Sequence, residues 1–362
     1  MKILVITKSL SRGGAATGNL RLLSGLKERG HNLVIYTADN AHPIVKFIRK
    51  IERVLDHLVW GAEFHVIKIF PPIFDLLKLV RLHEPDIVYF GDVSGNLFDY
   101  KDTEKLCIPI IHRLSDLWPY AGAGHYAVVR TRFLKVPSIK PDAIICPSNW
   151  ILEQVVNLCQ CSDIKRIILR NSGPVEKANN IRHRVDDTIR LGFISANIND
   201  NRKNLSGLLE VLDKFSLQKK ISLQIYGSGV RTLPIYAQNN GSFSKDKLKK
   251  IFEQFDILIV PSLVDNSPNT IVEAFGNGVP VIANSNSGIT EYIINRENGI
   301  CINFGSENSL QDFNEAVASI YDAYGTYSGA CVEHYNNEFS PSYQAKKLED
   351  FMMTLKKKFF RC

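Results

Sequence analysis

Two carboxylates eight positions apart, Asp265 and Glu273, lie in the most chemically suggestive stretch of the chain, Pro261 to Ala283. In order, it reads as a strand end, a polar loop, a short helix, a Gly278-Val279-Pro280 turn and another strand. Asp265 falls in the loop and Glu273 in the helix. Pro268 fits the first helical turn, where its missing N–H costs nothing. The backbone N–H groups of Asn269, Thr270 and Ile271 then point out of the helix start, a seat suited to a phosphate. Plainer readings stand beside this one: Asp265 as a helix cap, and Glu273 as a first-turn acid favoured by the helix dipole.

These residues need elements to hold them, and the apolar pattern supplies them. Lys2–Thr7 is an apolar run, followed by a glycine-rich loop, Ser11 to Ala16, with Gly13 and Gly14 at its centre. Asn19 to Arg29 carries Leu20, Leu22, Leu23 and Leu26 at helical spacing, and Gly30 closes it. Asn32–Thr37, Ile87–Phe90, Ile108–His112, Ala143–Cys146 and Ile167–Leu169 are further strands. The second half repeats the plan. Ile189–Ile194, Ile221–Tyr226, Ile257–Pro261, Val279–Ala283 and Ile300–Ile302 read as strands, with helices at Asn204–Phe215 and Lys245–Phe255 among those between them. Strands alternating with helices imply parallel sheets covered on both faces. The polar stretch Gly173–Thr188 reads as a linker between two open α/β domains, and a ligand cleft is expected at the carboxyl ends of their strands.

The 261–283 block resembles the acid-x7-acid signature of family 4 glycosyltransferases. Ser287-Gly288-Ile289-Thr290-Glu291 is similar to that family's Gly-Gly-x-x-Glu turn, and Asn298-Gly299 to its Asn-Gly. Asn201-Arg202-Lys203-Asn204 resembles its Lys-Gly segment, and Gly13-Gly14 and Gly30-His31 also fit. Leu114 to Tyr126 resembles an Asp-Met-Trp…Gly-Gly-Cys-His-Tyr segment of a polysaccharide-building subgroup.

The resemblance implies a GT-B architecture: an α/β chain of two facing Rossmann-like domains with parallel sheets and an interdomain cleft. Residues 1–172 would form the acceptor domain and 173–340 the nucleotide-sugar donor domain, with 341–362 packing back on the first. It also implies roles. Glu273 would accept hydrogen bonds from the nucleotide ribose. Asp265 would sit near the hydroxyls of the transferred sugar. Lys203, with Arg202, would neutralise the leaving diphosphate, a charge that needs compensation in a closed site. The Gly14 backbone can approach the diphosphate because no Cβ intervenes. Asp116 joins Asp265 and Lys203 as a catalytic candidate. Gly13, Gly14, Arg202, Lys203, Asn269, Thr270, Ile271 and Glu273 are donor-binding candidates, and Trp118, Tyr120 and His125 acceptor-binding ones. This chain departs from the family at four points. Asp265 stands where many members have Glu, Ser115 where a donor-contacting His is common, and Asn204 where a Gly follows the Lys. Neutral residues replace an Arg upstream of that Lys. His112 or His125 is a candidate to replace the missing His.

Composition narrows the classes further. The 362 residues are 45% hydrophobic and 22% charged, ordinary for a globular protein and long enough for two cores. The seven cysteines form no CxxC pair, so they read as reduced thiols in a cytosolic protein, with no metal site expected. The apolar run at the N-terminus is too short for a signal peptide, and no stretch reaches the length of a membrane span. The net charge of +7 sits in the first half: residues 1–172 hold 23 Lys and Arg against 16 Asp and Glu, and the remainder holds 21 of each. An anionic partner follows from that asymmetry. Residues 44–60 read as a basic amphipathic helix, with Ile44, Phe47, Ile48, Ile51, Val54, Leu55 and Leu58 on one stripe and Lys46, Arg49, Lys50 and Arg53 on the other side. Such a helix lies on an anionic membrane or packs on its own sheet. A short basic and aromatic cluster, Lys356 to Arg361, ends the chain.

The expected activity is therefore a retaining, metal-independent transfer of a hexose from a nucleotide diphosphate sugar, with no cofactor. The acceptor would be a hydroxyl of a glycan or lipid-linked molecule, as in bacterial surface polysaccharide or lipopolysaccharide assembly. The expected place is the cytoplasm, or the inner face of the plasma membrane as a peripheral protein. A nucleotide-dependent dehydrogenase is excluded by the first loop, Gly13-Gly14-Ala15-Ala16-Thr17-Gly18, which lacks the Gly-x-Gly-x-x-Gly spacing. No nucleic-acid-binding module is present. A non-catalytic nucleotide-sugar-binding protein of the same fold is the alternative.

Overall fold

A computed structural model of the chain describes residues 1–11, 13–59, 68–118, 120, 139–159, 164–183, 188–216 and 220–356. The chain divides into two compact units, Met1–Asn171 with Gln344–Cys362, and Ser172–Tyr343.

The first unit contains β1 (Lys2–Thr7), α1 (Gly13–Glu28), β2 (Asn32–Thr37), α2 (Pro43–Val59), α3 (Leu76–His83), β3 (Ile87–Phe90), β4 (Ile110–Arg113), β5 (Ala143–Cys146), α4 (Asn149–Cys159) and β6 (Lys165–Ile168). Its sheet is parallel throughout, in the order β2-β1-β3-β4-β5-β6. Val5 of β1 lies opposite Ile35 on one side and Tyr89 on the other. Strands covered on both faces must be apolar without alternation. Ile3–Ile6 and Ile87–Phe90 are accordingly fully buried, while edge strand β2 is partly exposed. On α1, Leu22, Leu23 and Leu26 face the core as expected, but Leu20 points outward and buried Asn19 takes its place. The glycine loop is shorter than expected, since α1 begins at Gly13 and includes Ala15 and Ala16.

The second unit contains β7 (Ile189–Asn197), α5 (Leu205–Ser216), β8 (Ile221–Ser228), β9 (Ala237–Asn239), α6 (Leu248–Phe252), β10 (Ile257–Val260), α7 (Asn269–Gly276), β11 (Val281–Asn284), β12 (Gly299–Ile302), α8 (Ser309–Asp322) and α9 (Tyr324–Glu338). Its parallel sheet runs β12-β11-β10-β7-β8-β9. Strand β9 is too short and polar to leave an apolar signal. The helix expected over Lys245–Phe255 splits into a 3-10 turn, Lys245–Lys247, and the short α6. Residues 173–183 do not behave as a free linker. Val175 N–H donates to Tyr335 Oη (3.0 Å), Ala178 exchanges two bonds with the Asn336 side chain, and Arg182 donates to the carbonyls of Phe252 and Phe255.

Helix α10 (Pro341–Lys356) carries the chain back to the first unit. Leu348, Met352 and Leu355 join the core beneath α1 and the sheet. Glu349 accepts from Arg29 and from His31 (2.9 Å), and Lys356 pairs with Asp86 at 2.6 Å.

In each sheet the order reverses once, between β1 and β3 in the first unit and between β7 and β10 in the second. Loops leaving two such strands diverge to opposite faces, which opens a crevice at the carboxyl ends where ligands bind in open α/β sheets.

Candidate active site

The second unit sets its chemistry at that reversal. From β7, the chain enters a 3-10 turn, Asn201–Lys203, capped by Asp200. From β10, it enters the loop that carries Asp265. The two loops are tied by backbone: Leu263 N–H donates to Arg202 C=O at 2.8 Å. The result is an ion pair, Lys203 Nζ to Asp265 Oδ2 at 2.5 Å, between residues 62 positions apart. Both side chains are mostly covered, at 28% and 14% exposure. Asp265 is held further by Ser287 Oγ, which accepts its N–H, and by Ser267 N–H, which donates to Oδ1 (both 3.1 Å). A lysine held this way presents its charge at the strand ends without having to be ordered when an anion arrives.

The sequence departures leave this backbone intact. Asn204 has φ 55°, the left-handed region, where the family's glycine would sit. Asn tolerates that region better than other non-glycine residues. Here it also contributes contacts glycine cannot make: its Oδ1 accepts from Gly207 N–H (3.3 Å), capping α5, and its Nδ2 donates to Pro261 C=O (3.2 Å). Ser287, in place of the first glycine of the Gly-Gly turn, also has φ 54°. Asn298 is fully buried; its Oδ1 accepts from Ile294 N–H and its amide meets His334 Nδ1 at 2.7 Å, so the Asn-Gly motif shapes the turn into β12.

Several expectations are corrected. Pro268 caps α7 rather than opening its first turn, and Ile271 N–H donates to Pro268 C=O at 3.2 Å, so it does not project outward as a phosphate donor. That leaves Asn269 and Thr270 to present N–H groups at the helix start. Glu273 lies beyond the first turn of α7, which holds no acid, so a simple dipole role is excluded. It is 6% exposed, a burial that acidic side chains rarely reach without a specific role or partner. Arg202 is held by Asp200 through two bonds, at 3.2 and 2.8 Å, so its charge is already matched while Lys203 faces the Asp265 loop.

The first unit places its candidates on separate features. Gly13, at φ 88°, turns the chain into α1 in a conformation that side chains disfavour, and Gly14 follows it; both are exposed at the helix start. Asp116 Oδ1 accepts from Trp118 N–H at 2.9 Å. Trp118 is 3% exposed and packs edge-on to Tyr100 at 5.7 Å, so it is a core residue and offers no sugar platform. Tyr120 is half-buried, with its hydroxyl 3.4 Å from His112 Nδ1. His112 is 2% exposed, and burial drives its pKa down to about 4, so it is neutral and enclosed rather than a surface stand-in for the missing His. His125 lies outside the described residues.

Two features escaped sequence reading because their residues are scattered. Arg113, at the carboxyl end of β4, is fully buried. Its guanidinium donates to Asn171 Oδ1 and comes within 3.4 Å of Ser115 Oγ, with no carboxylate partner among the described residues. The other is a cavity of about 620 Å³ at the β1/β3 reversal, lined in part by Lys8 and Asp92 and by the charged side of α2. The pair of acids in an otherwise basic α2 was the available signal: Glu52 and Asp56, four apart, are buried, while Ile44, Phe47, Val54 and Leu58 of the apolar stripe are exposed. The helix turns its Glu52–Asp56 line inward, leaves Lys46, Lys50 and Arg53 exposed at the cavity rim, and leaves most of its apolar stripe exposed as well.

Comparison with known proteins assigns both units. A family model described as Glycosyltransferase Family 4 matches residues 12–171, and one described as Glycosyl transferases group 1 matches residues 188–323. An uncharacterized glycosyltransferase of Methanocaldococcus jannaschii, MJ1607, is 28% identical over 114 residues; the match takes in 27% of this chain and spans only 28% of that relative's length. Among solved structures, Anabaena HepE in complex with UDP-glucose shares 16% identity at a TM-score of 0.66, covering 98% of this chain and 100% of that one. Sucrose-phosphate synthase of Thermosynechococcus elongatus shares 12% at a TM-score of 0.71, covering 99% of each. At such identities the structures establish the fold, and the two family models take in most of both units: the chain belongs to the group 1, family 4 glycosyltransferases, built on the GT-B fold.

Proposed function

We propose that this chain is a retaining, metal-independent hexosyltransferase. It moves a hexose from a nucleotide diphosphate sugar to a hydroxyl of a glycan or lipid-linked acceptor, in the assembly of a bacterial surface polysaccharide or lipopolysaccharide. The observation that carries the reading is the Lys203–Asp265 pair beside the β7/β10 reversal, with the start of α7 four residues beyond Asp265. Lys203 offsets the charge of the departing diphosphate, and Asn269 and Thr270 add N–H groups. Glu273 binds the ribose, and Asp265, once the diphosphate competes for Lys203, is left to accept from sugar hydroxyls. Asp116, Tyr120, Gly13 and Gly14 serve the same reaction from the first unit.

HepE is described bound to UDP-glucose, so a UDP-hexose heads the donor panel. A ligand that binds only the folded state raises its stability by mass action. Thermal shift with UDP-, GDP- and ADP-sugars should pick out one base, and Glu273→Ala should weaken that nucleotide by about 1.5–3 kcal/mol, the range for hydrogen bonds to charged groups. Unchanged affinity in a folded Glu273→Ala protein rules out the ribose assignment.

The same reading places the protein at a membrane surface through the exposed stripe of α2. No helix among the described residues is long and apolar enough to cross a membrane. Phe47→Ser with Leu58→Ser should abolish flotation with anionic liposomes, and a wild-type protein that ignores both anionic and neutral liposomes at low salt has no such surface.

A further inference from the structure

The cavity at the β1/β3 reversal carries more positive charge than its own acids use. Glu52 is committed: its carboxylate accepts from Arg49 and from the N–H groups of Ile69 (2.9 Å) and Phe70 (3.1 Å). Asp39 accepts from Ser9 (2.5 Å) and Ser11 (3.1 Å), and Asp92 from Ser94 N–H (2.9 Å). Asp56 is buried and engaged. By contrast the side chains of Lys46, Lys50 and Arg53, which also line the cavity, have no ion pair or hydrogen bond among the described residues. They stand at i, i+4 and i+7 on α2 and so form one stripe of like charge. Like charges at that spacing disfavour a helix. Lys8 adds a fourth cation, with Nζ 2.9 Å from Ser94 Oγ, and Lys68 a fifth, 4.1 Å above the Tyr100 ring. The volume, about 620 Å³, suits a small-molecule head group.

We infer that this cavity seats a phosphate or diphosphate group of the acceptor, so that the substrate class is a phosphorylated molecule rather than a neutral sugar. The inference rests on the glycosyltransferase reading, and it names the acceptor chemistry of that reaction. A phosphate oxygen cluster satisfies the Lys46, Lys50 and Arg53 stripe as point charges and fork, which a sugar hydroxyl does not.

The test is calorimetric titration of the full chain with inorganic pyrophosphate, farnesyl diphosphate and, as an uncharged control, farnesol. Three proteins are compared: wild type, the Lys46→Gln/Lys50→Gln/Arg53→Gln variant and Lys203→Ala. The three cations are exposed, so their neutral replacements leave the fold unstrained. Both diphosphates should bind wild type and Lys203→Ala, and bind the triple variant at least about tenfold more weakly, while farnesol binds none. Farnesyl diphosphate binding more tightly than pyrophosphate assigns a lipid-borne phosphate; equal binding assigns the phosphate head alone. Diphosphate binding that survives in the triple variant, or is lost only in Lys203→Ala, overturns the inference, because the anion then sits at the donor loop. Absence of diphosphate binding in wild type also overturns it. The nucleotide-sugar panel on the triple variant keeps the two readings apart: retained donor binding with lost diphosphate binding supports the cavity, and failure of every nucleotide sugar on wild type removes the glycosyltransferase reading instead.

Discussion

Asn204 shows how a departure from a family motif can keep the motif's geometry. A left-handed residue must follow Lys203 for the 3-10 turn to end and α5 to begin, and Asn supplies both the conformation and the cap. Asn204→Gly keeps the conformation and should lose only a few tenths of a kcal/mol with the cap. Asn204→Val adds a β-branched side chain at φ 55° and should cost about 2–3 kcal/mol. Equal melting temperatures for the two variants would show that the backbone at 204 is not constrained. His112 makes a second prediction at this scale. Desolvation lowers its pKa from the ordinary 6.5 to about 4, against a smaller opposing pull from Asp92. Between those values the unfolded chain binds the proton and the folded one does not, so stability falls as pH drops from 6.5 towards 4. The loss from this group is roughly 3 kcal/mol. Urea unfolding across that window should show a shallower acid slope in His112→Gln than in wild type, and parallel slopes would disprove the assignment.

At the scale of elements, α2 is the informative case. Its apolar stripe and its charged side are both clear in sequence, but which one faces the protein is decided by partners far along the chain. Glu52 provides the acceptor that the N–H groups of Ile69 and Phe70 would otherwise lack. Glu52 is itself buried, and a hydrogen bond to a charged group contributes about 1.5–3 kcal/mol. Chemical denaturation should therefore find Glu52→Ala destabilised by about 2 kcal/mol or more, while Phe47→Ser and Leu58→Ser, at positions 63% and 74% exposed, change stability by under about 0.5 kcal/mol. A large loss on Phe47→Ser would mean the stripe is packed after all. α7 teaches the converse: its existence and its carboxylate are local in sequence, and the fold settled only that Pro268 caps it, that Ile271 N–H is bonded to Pro268 C=O and that Glu273 is buried.

For the whole molecule, the two units carry different electrostatics. The second pairs its site lysine with Asp265, and at the amino end of the sheet, away from the ligand end, Arg190 holds buried Asp256 at 3.0 and 3.2 Å. The first holds the excess positive charge of the chain. With Lys203 as the counter-charge to the diphosphate, sugar transfer should persist in excess EDTA and fall by at least about a hundredfold in Lys203→Ala, the scale of losing one preorganised charge contact. Transfer abolished by chelation and restored by manganese or magnesium would reverse that assignment.

By itself the sequence determined the elements and their class. Alternating strands and helices are local periodicities; Lys2–Thr7 and Ile87–Phe90 read correctly, and Ile257–Pro261 to within one residue, because strands covered on both faces must be apolar through their cores. It also determined the strand–loop–helix–turn order of the 261–283 block, whose carboxylates and turn all lie within one short stretch. The tertiary structure alone decided what depends on distant partners. It brought Lys203 to Asp265 across 62 positions, buried Trp118 against Tyr100, turned Glu52 and Asp56 inward, and gathered Lys8, Asp39 and Asp92 around the charged side of α2. The reason is physical: periodicity records which face of an element can be buried, whereas a polar group is buried only where a partner satisfies it, and that partner is chosen by the fold.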